Sequence, residues 1–292
     1  LKIDSLSSFF KLDENKHFLK SSRNSGQQLK NWLISLYHLE VNKNLIKLPY
    51  LHVNILKKAS KFNIKSYIEK INLSGWEDIL NFTNKKWYQA YLKMQAQGTL
   101  NNVSSHIIVE NSHIVDYQVN IKANKLSANA WKQLPKFSNL SAQLWADKSN
   151  GLIDINSSNL GLELKPEFKH PWQLEKLLAQ ISWQTIASQK WINIDVNTIR
   201  NSHLKINGNA QLWSNLPQIS DKQVLEVNKS PLLLISANFS DVDASHVPTY
   251  LPTTVFGKGL YDWLNKAFIS AQVPDGGVIF SGRLNKFPYS KS

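Results

Sequence analysis

The densest grouping of ionisable side chains in this 292-residue sequence is Asp241-Val242-Asp243, followed three residues on by His246. Two carboxylates and an imidazole so spaced could hold a metal ion, or pass protons to and from a substrate. The same residues suit a turn in which Asp oxygens accept hydrogen bonds from backbone N–H groups ahead of a short helix, and the turn is the favoured reading. His38, His52, His106, His113, His170 and His203 are scattered, and no His-x-x-x-His pair puts two imidazoles on one helix face. Gly-x-Ser-x-Gly and the P-loop pattern are absent, and Gly208-Asn209-Ala210 and Gly257-Lys258-Gly259 are isolated glycine steps. The chain has no cysteine, which excludes disulfides and thiolate metal sites. No set of catalytic or metal-binding residues assembles from the sequence, so neither an enzyme nor a cofactor is expected.

The elements that would position side chains are mostly strands. Gln27 to Tyr37 fits a helix or a strand. From Val41 to Ile55 the apolar residues Val41, Leu45, Leu48, Leu51, Val53 and Ile55 all fall on odd positions, with Pro49 marking an edge or bulge. Between Trp76 and Ala96 the spacing changes to threes and fours, which predicts one or two helices with Ser74 at the N-cap. After Gly98 the pattern is β. His106 to Ile121 alternates with a turn at Asn111-Ser112. Leu140, Ala142 and Leu144 alternate with polar residues up to a hairpin signal at Asp147 to Gly151, and Leu152 to Asn156 begins the return strand. Further strands are predicted through Leu177, Ala179, Ile181 and Trp183, from Trp191 to Val196 with Ile192 and Ile194, from His203 to Trp213 with Leu204, Ile206, Ala210 and Leu212 inward, and through Leu233, Ile235, Ala237 and Phe239.

Strands of about six to ten residues joined by short polar turns make an antiparallel meander with one apolar face. The expected class is mainly β with some α (α+β): a curved antiparallel sheet with a few short helices packed on it. The division falls near Gly98, into a mixed part at 1–98 and a β-rich part at 99–292. The candidate lining of a lipid-binding groove is Leu140, Ala142, Leu144, Ile181, Trp183, Ile192, Ile194, Leu204, Ile206, Leu212, Leu233, Ile235 and Ala237. Alternation alone is equally compatible with a closed sandwich.

Lys+Arg number 34 and Asp+Glu 21, a net charge of 34 − 21 = +13. That balance favours acidic partners, either nucleic acid or anionic lipid headgroups. The basic residues are dispersed, Lys57-Lys58 and Lys85-Lys86 being the densest runs, and the aromatics fall on inward faces. A stacking platform needs the two interleaved, so nucleic acid is not expected. Asn-x-Ser triplets at Asn72, Asn139 and Asn238 are those that so Asn- and Ser-rich a chain produces by chance. No run of 18 apolar residues occurs, and the chain opens on Leu1 without a leader pattern, so it reads as an internal part of a longer protein whose anchor lies elsewhere.

The last quarter carries an ordered set of short motifs. Tyr250-Leu251-Pro252 is followed by Trp263-Leu264 and Ala267-Phe268, then by Gly276-Gly277-Val278-Ile279-Phe280, and then by Phe287-Pro288-Tyr289. Upstream stand Leu134-Pro135, Asn139-Leu140-Ser141, Gly151-Leu152 and Ile181-Ser182-Trp183. This order, from roughly Ala96 to the end, resembles the central region of the YhdP family of AsmA-like envelope proteins of Gram-negative bacteria. Tyr289 stands where the family pattern has Phe. The resemblance implies a segment of an inner-membrane-anchored periplasmic bridge that moves phospholipid, anionic or zwitterionic, toward the outer membrane and maintains its barrier. Acyl chains would lie in an apolar β-groove. Membrane contact would come through segments outside this one, and other envelope proteins are possible partners. Trp263 and Phe268 would pin a short helix onto the sheet. The rival reading is a non-catalytic scaffold of the envelope without lipid cargo.

Overall fold

The computed structural model describes residues 11–15, 29–36, 39–41, 44–46, 51–74, 85–132, 134–186, 189–214, 216–220, 223–228, 230–250, 258–267 and 270–284. The chain is mostly β. Thirteen strands hydrogen-bond side by side in an open antiparallel order, β1-β2-β5-β6-β7-β8-β9-β10-β11-β12-β13-β16-β17, with β3-β4 and β14-β15 as separate hairpins. The described strands, in the sheet and in the two hairpins, are β1 (Lys11–Asn15), β2 (Leu29–Leu36), β3 (Leu39–Val41), β4 (Asn44–Ile46), β5 (Leu51–Lys58), β6 (Lys61–Asn72), β7 (Gln97–Glu110), β8 (His113–Ala128), β9 (Lys136–Asp147), β10 (Asn150–Glu163), β11 (Trp172–Ile186), β12 (Gln189–Arg200), β13 (Lys205–Ser214), β14 (Leu216–Ser220), β15 (Gln223–Asn228), β16 (Leu232–Asp243) and β17 (Gln272–Arg283). The described α-helices are α1 (Lys85–Met94) and α2 (Lys258–Ala267), and a 3-10 turn spans Ala244–Tyr250.

Two expectations are corrected here. The α+β label overstates the helix, which comes to two helices of ten residues each among the described residues. The strands are also longer than six to ten: β7, β8, β10 and β11 have 14, 16, 14 and 15 residues. Sequence alternation breaks partway along each of them and suggests an end, whereas the backbone continues through a kink, described below. Within the segment 27–37, open between helix and strand, Leu29–Leu36 forms β2. The predicted helical stretch yields α1, while residues 75–84, and Pro49 in the earlier stretch, lie outside the described residues.

The chain divides into two compact units, Leu1–Asn124 with Gln143–Lys148, and Lys125–Ala142 with Ser149–Ser292. In the first unit, cross-strand register sets Ile55 opposite Ile64 and Ile64 opposite Ile107, with Leu51, Ile68 and Val103 in a parallel row. The other face carries Asn54, Lys65 and His106, whose ring is 2.9 Å from Asn63 Oδ1. The turn at Asn111-Ser112 has φ of 49° and 63°. Two successive left-handed residues match the twist of the flanking strands, which is why the pair makes a tight hairpin. Helix α1 buries Ala90, and the Tyr91 hydroxyl donates to Leu73 O at 2.8 Å, tying the helix to the end of β6.

The second unit holds the strands β10 to β13, β16 and β17 and the core of the described residues. Leu160, Leu174, Leu177 and Ala179 are buried together, flanked by Leu140, Ile155, Leu162, Trp172, Val196 and Ile199. Leu160 and Leu174 are even-numbered while Leu177 and Ala179 are odd, so the inward parity changes within a strand. It does so at polar doublets: Ser158-Asn159 in β10, Glu175-Lys176 in β11, Asn197-Thr198 in β12 and Ser240-Asp241 in β16. Register shifts against both neighbours put the extra residue of a β-bulge at Asn197-Thr198. Lys125, Asn139, Asn159 and Asp241 adopt φ between 48° and 60°. Serine hydroxyls take up the backbone groups so freed. Lys125 N donates to Ser141 Oγ (3.0 Å), Asn139 N to Ser127 Oγ (3.2 Å) and Ser141 N to Ser157 Oγ (2.8 Å). Ser157, fully buried, in turn donates to Ser141 O at 3.1 Å.

Candidate functional site

On one side of this kink line the second unit carries a continuous apolar face. Directly paired residues of antiparallel strands point to the same side, so the register defines it row by row. The outermost row is Gly151, Trp183, Ile192, Leu212, Leu233 and Gly282. Next come Ile153, Ile181, Ile194, Ala210, Ile235 and Phe280. A third row holds Ile155, Ala179, Val196, Gly208, Ala237 and Val278, and a fourth Ser157, Leu177, Ile199, Ile206, Phe239 and Gly276. Six strands at ~4.8 Å spacing and four rows at ~6.8 Å give a patch roughly 24 by 20 Å. That is a footprint of about 500 Å², within the range of the largest apolar patch on a typical monomeric protein, which is often functional.

The two faces differ sharply. Opposite the apolar one, Asp154, Gln180, Asp195, Asn209 and Ser236 form a polar row. There Asn209 Nδ2 donates to Asn193 Oδ1 at 2.8 Å and to Asp195 Oδ1, and Asn193 Nδ2 donates to Asp195 Oδ2. This face is mostly polar, with Asn193 buried within the hydrogen-bonded group. On the apolar face most side chains are only half-buried, and full burial is confined to the kink side, at Leu160, Leu174, Leu177, Ala179, Leu204, Val242 and Ala244. Among the described elements, these strands pack chiefly on their neighbours in the sheet and, at β16, on the 3-10 turn. A half-buried apolar face with no second layer of described elements over it can take up an apolar ligand without displacing one.

Glycine shapes this face at two points. Gly151 lies under the Trp183 ring, where a Cβ would come within 2.0 Å of Trp183 Cζ2, and Gly276 lies under the Phe239 ring, with the corresponding distance 2.4 Å. Both are cross-strand partners of the aromatic that covers them.

The register places Ile181, Trp183, Ile192, Ile194, Ile206, Leu212, Leu233, Ile235 and Ala237 on this face together. Leu140 packs against the adjoining core cluster. Ala142 shares Leu140's unit and Leu144 belongs to the other. Leu204 is not on a strand: β13 begins at Lys205, and Leu204 is buried in the connection from β12, where its N–H donates to Asn201 Oδ1 at 3.1 Å. The face also holds Ile153, Ile155, Leu177, Ala179, Val196, Ile199, Ala210, Phe239, Val278 and Phe280, which are not among the candidate lining positions, although alternation already sets Ala210 inward. Their signal, apolar residues in step with the chosen ones, was present, but only pairing showed which strands shared a face.

The ionisable group at the end of β16 behaves as a turn. Asp243 Oδ1 accepts from Ser245 N (3.0 Å) and Ser245 Oγ (2.7 Å). These bonds hold the Asp243 carboxyl below its ordinary range. Asp241 is one of the left-handed kink residues. Trp263 corrects another expectation: at 61% exposure it does not pin α2 to the sheet, because α2 presents this side chain to solvent. Phe268 lies outside the described residues.

The sequence model of the YhdP family matches residues 2–292. The chain belongs to the YhdP family. The match extends the resemblance read in its last two thirds to nearly the whole length, and it makes this a member of a family of bacterial envelope proteins. No curated protein and no solved structure matches it. Among the described residues of this YhdP-family chain, no helix is long and apolar enough to cross a membrane, which says nothing of strands.

Proposed function

We propose that the apolar face of β10 to β13, β16 and β17 holds phospholipid acyl chains. On this reading the protein is a non-catalytic, periplasmic segment of an inner-membrane-anchored lipid carrier serving the outer membrane. The observation that carries it is the contrast between four rows of Ile, Leu, Val, Ala, Phe and Trp, most of them half-buried, and a hydrogen-bonded polar row behind them. Membership of the YhdP family supports the envelope setting. Burial of each methylene contributes about 0.8 kcal/mol, so a fully buried chain of some sixteen carbons gains roughly 13 kcal/mol before ordering losses. Binding of that strength requires no catalytic group.

Mass spectrometry of the purified protein, native and after organic extraction, tests this directly. Stoichiometric phospholipid is expected, and Ile235→Asp, in the second row between Ala210 and Phe280, should remove it, with Ile206→Asp acting likewise. Circular dichroism checks that both variants fold. Folded protein that carries no lipid, or carries it undiminished in both variants, sinks the acyl-chain reading and leaves the envelope scaffold.

A further inference from the structure

We propose that His203, Asp243 and His246 form a transition-metal site that fastens the 3-10 turn to the β12–β13 connection. The three come from different places in the fold: the connection before β13, the last residue of β16, and the 3-10 turn. The backbone brings them together. Asp243 N donates to His203 O at 2.8 Å, and Asn201 Oδ1 fixes the connection by accepting from His203 N at 2.9 Å. Each side chain offers one ligand atom, and these atoms lie within 4.8 Å of one another. The two imidazoles are stacked, centroids 3.5 Å apart and 10° from parallel. His246 Nδ1 is 3.2 Å from Asp243 Oδ2.

The donor set decides the class of ion. Two imidazole nitrogens and one carboxylate suit Zn²⁺, Ni²⁺ or Cu²⁺, whereas Mg²⁺ and Ca²⁺ take oxygen ligands. Bond lengths of about 2.0–2.2 Å at a tetrahedral ion bring ligand atoms to roughly 3.3 Å from each other. Rotation of the two partly exposed imidazoles out of their stack closes the remaining gap, and a water takes the fourth position. Polar neighbours are in place to orient the ligands. Ser245 Oγ holds Asp243 Oδ1, leaving Oδ2 toward His246, and Ser202 Oγ is 3.3 Å from His203 Nε2.

The ion would have a mechanical effect. The turn buries Ala244 and Pro248, and its last residue, Tyr250, sets its ring 5.6 Å from Trp172 and its hydroxyl 2.5 Å from Asn201 Nδ2. Metal joining His246 to His203 would lock this turn over the kink side of the sheet. The inference does not depend on lipid binding.

The test is calorimetric titration of ZnCl2 into tag-free, chelator-stripped protein, with MgCl2 as the contrasting ion. One equivalent of Zn²⁺ should bind, with affinity falling at least tenfold in His203→Ala and in His246→Ala. Replacement of His113, which lies in a hairpin elsewhere, should change nothing. Titration with Co²⁺ reads the same site without a variant, through the intense visible bands of tetrahedral coordination. Absence of stoichiometric Zn²⁺ binding, equal binding in folded His203→Ala and His246→Ala, or Co²⁺ bands of an octahedral hydrated ion would each overturn the proposal.

Discussion

Gly208 and Gly151 sit on the same apolar face, and a methyl group would meet a different obstacle at each. At Gly208 an added Cβ would lie 2.4 Å from Ser236 O and 2.7 Å from Ala237 Cα, both fixed in the β13–β16 ladder. At Gly151 the obstacle is the benzo part of the Trp183 side chain, which can rotate about its own torsions where backbone cannot. Overpacking costs about 1–3 kcal/mol. Gly208→Ala should therefore fall at the upper end of that range and Gly151→Ala below it, read as the shift in urea midpoint at constant slope. The reverse order would show that the Trp183 ring, and not the β13–β16 backbone, is the more rigid wall. The two glycines are visible in the sequence, but what covers them is not, since each obstacle comes from a neighbouring strand.

At the scale of elements the kink line is the main device. A strand presents alternate residues to one face, so an unbroken strand would have turned Leu160 and Leu174 toward solvent. The doublets Ser158-Asn159 and Glu175-Lys176 reset the parity and return both leucines to the core. Asn159 does this at φ 53°, a conformation that costs an L-residue with a bulky side chain about 1–2 kcal/mol. Asn159→Val should destabilise the protein by roughly that amount, whereas Asn159→Gly should change stability by only a few tenths, as glycine accepts the angle freely. Thermal or urea unfolding of the pair checks it, and equal losses would mean that the backbone angle is not what Asn159 contributes to stability. Each doublet is legible as two adjacent polar residues in an apolar alternation. Read alone, it looks like the end of a strand, and this is why the strands seemed shorter than they are.

At the scale of the molecule, the net charge of +13 is the feature that bears on partners. If phospholipid is the cargo, protein should take lipid from anionic vesicles faster than from zwitterionic ones, and the difference should shrink as salt rises. The screening length is about 10 Å at 0.1 M salt and ~3 Å at 1 M, so raising salt across that range isolates the electrostatic part. A vesicle uptake assay with labelled phospholipid measures both. Rates indifferent to lipid charge and to salt would confine the basic residues to a solvation role.

The sequence by itself determined the class and the family: alternation fixes strands because a pleated backbone alternates its side chains, and an ordered series of short motifs carries the YhdP likeness. It also determined nine of the face positions from Ile181 to Ala237, since each follows from its own strand's period. Tertiary structure decided the rest. Which strands pair, and in what register, depends on hydrogen bonds between residues far apart in the chain, so the ten further apolar positions of the face and the exclusion of Leu204 from β13 emerged only there. The meeting of His203 with Asp243 and His246 has the same origin: some forty residues of sequence separate them, and the pairing of β13 with β16 brings the two ends together.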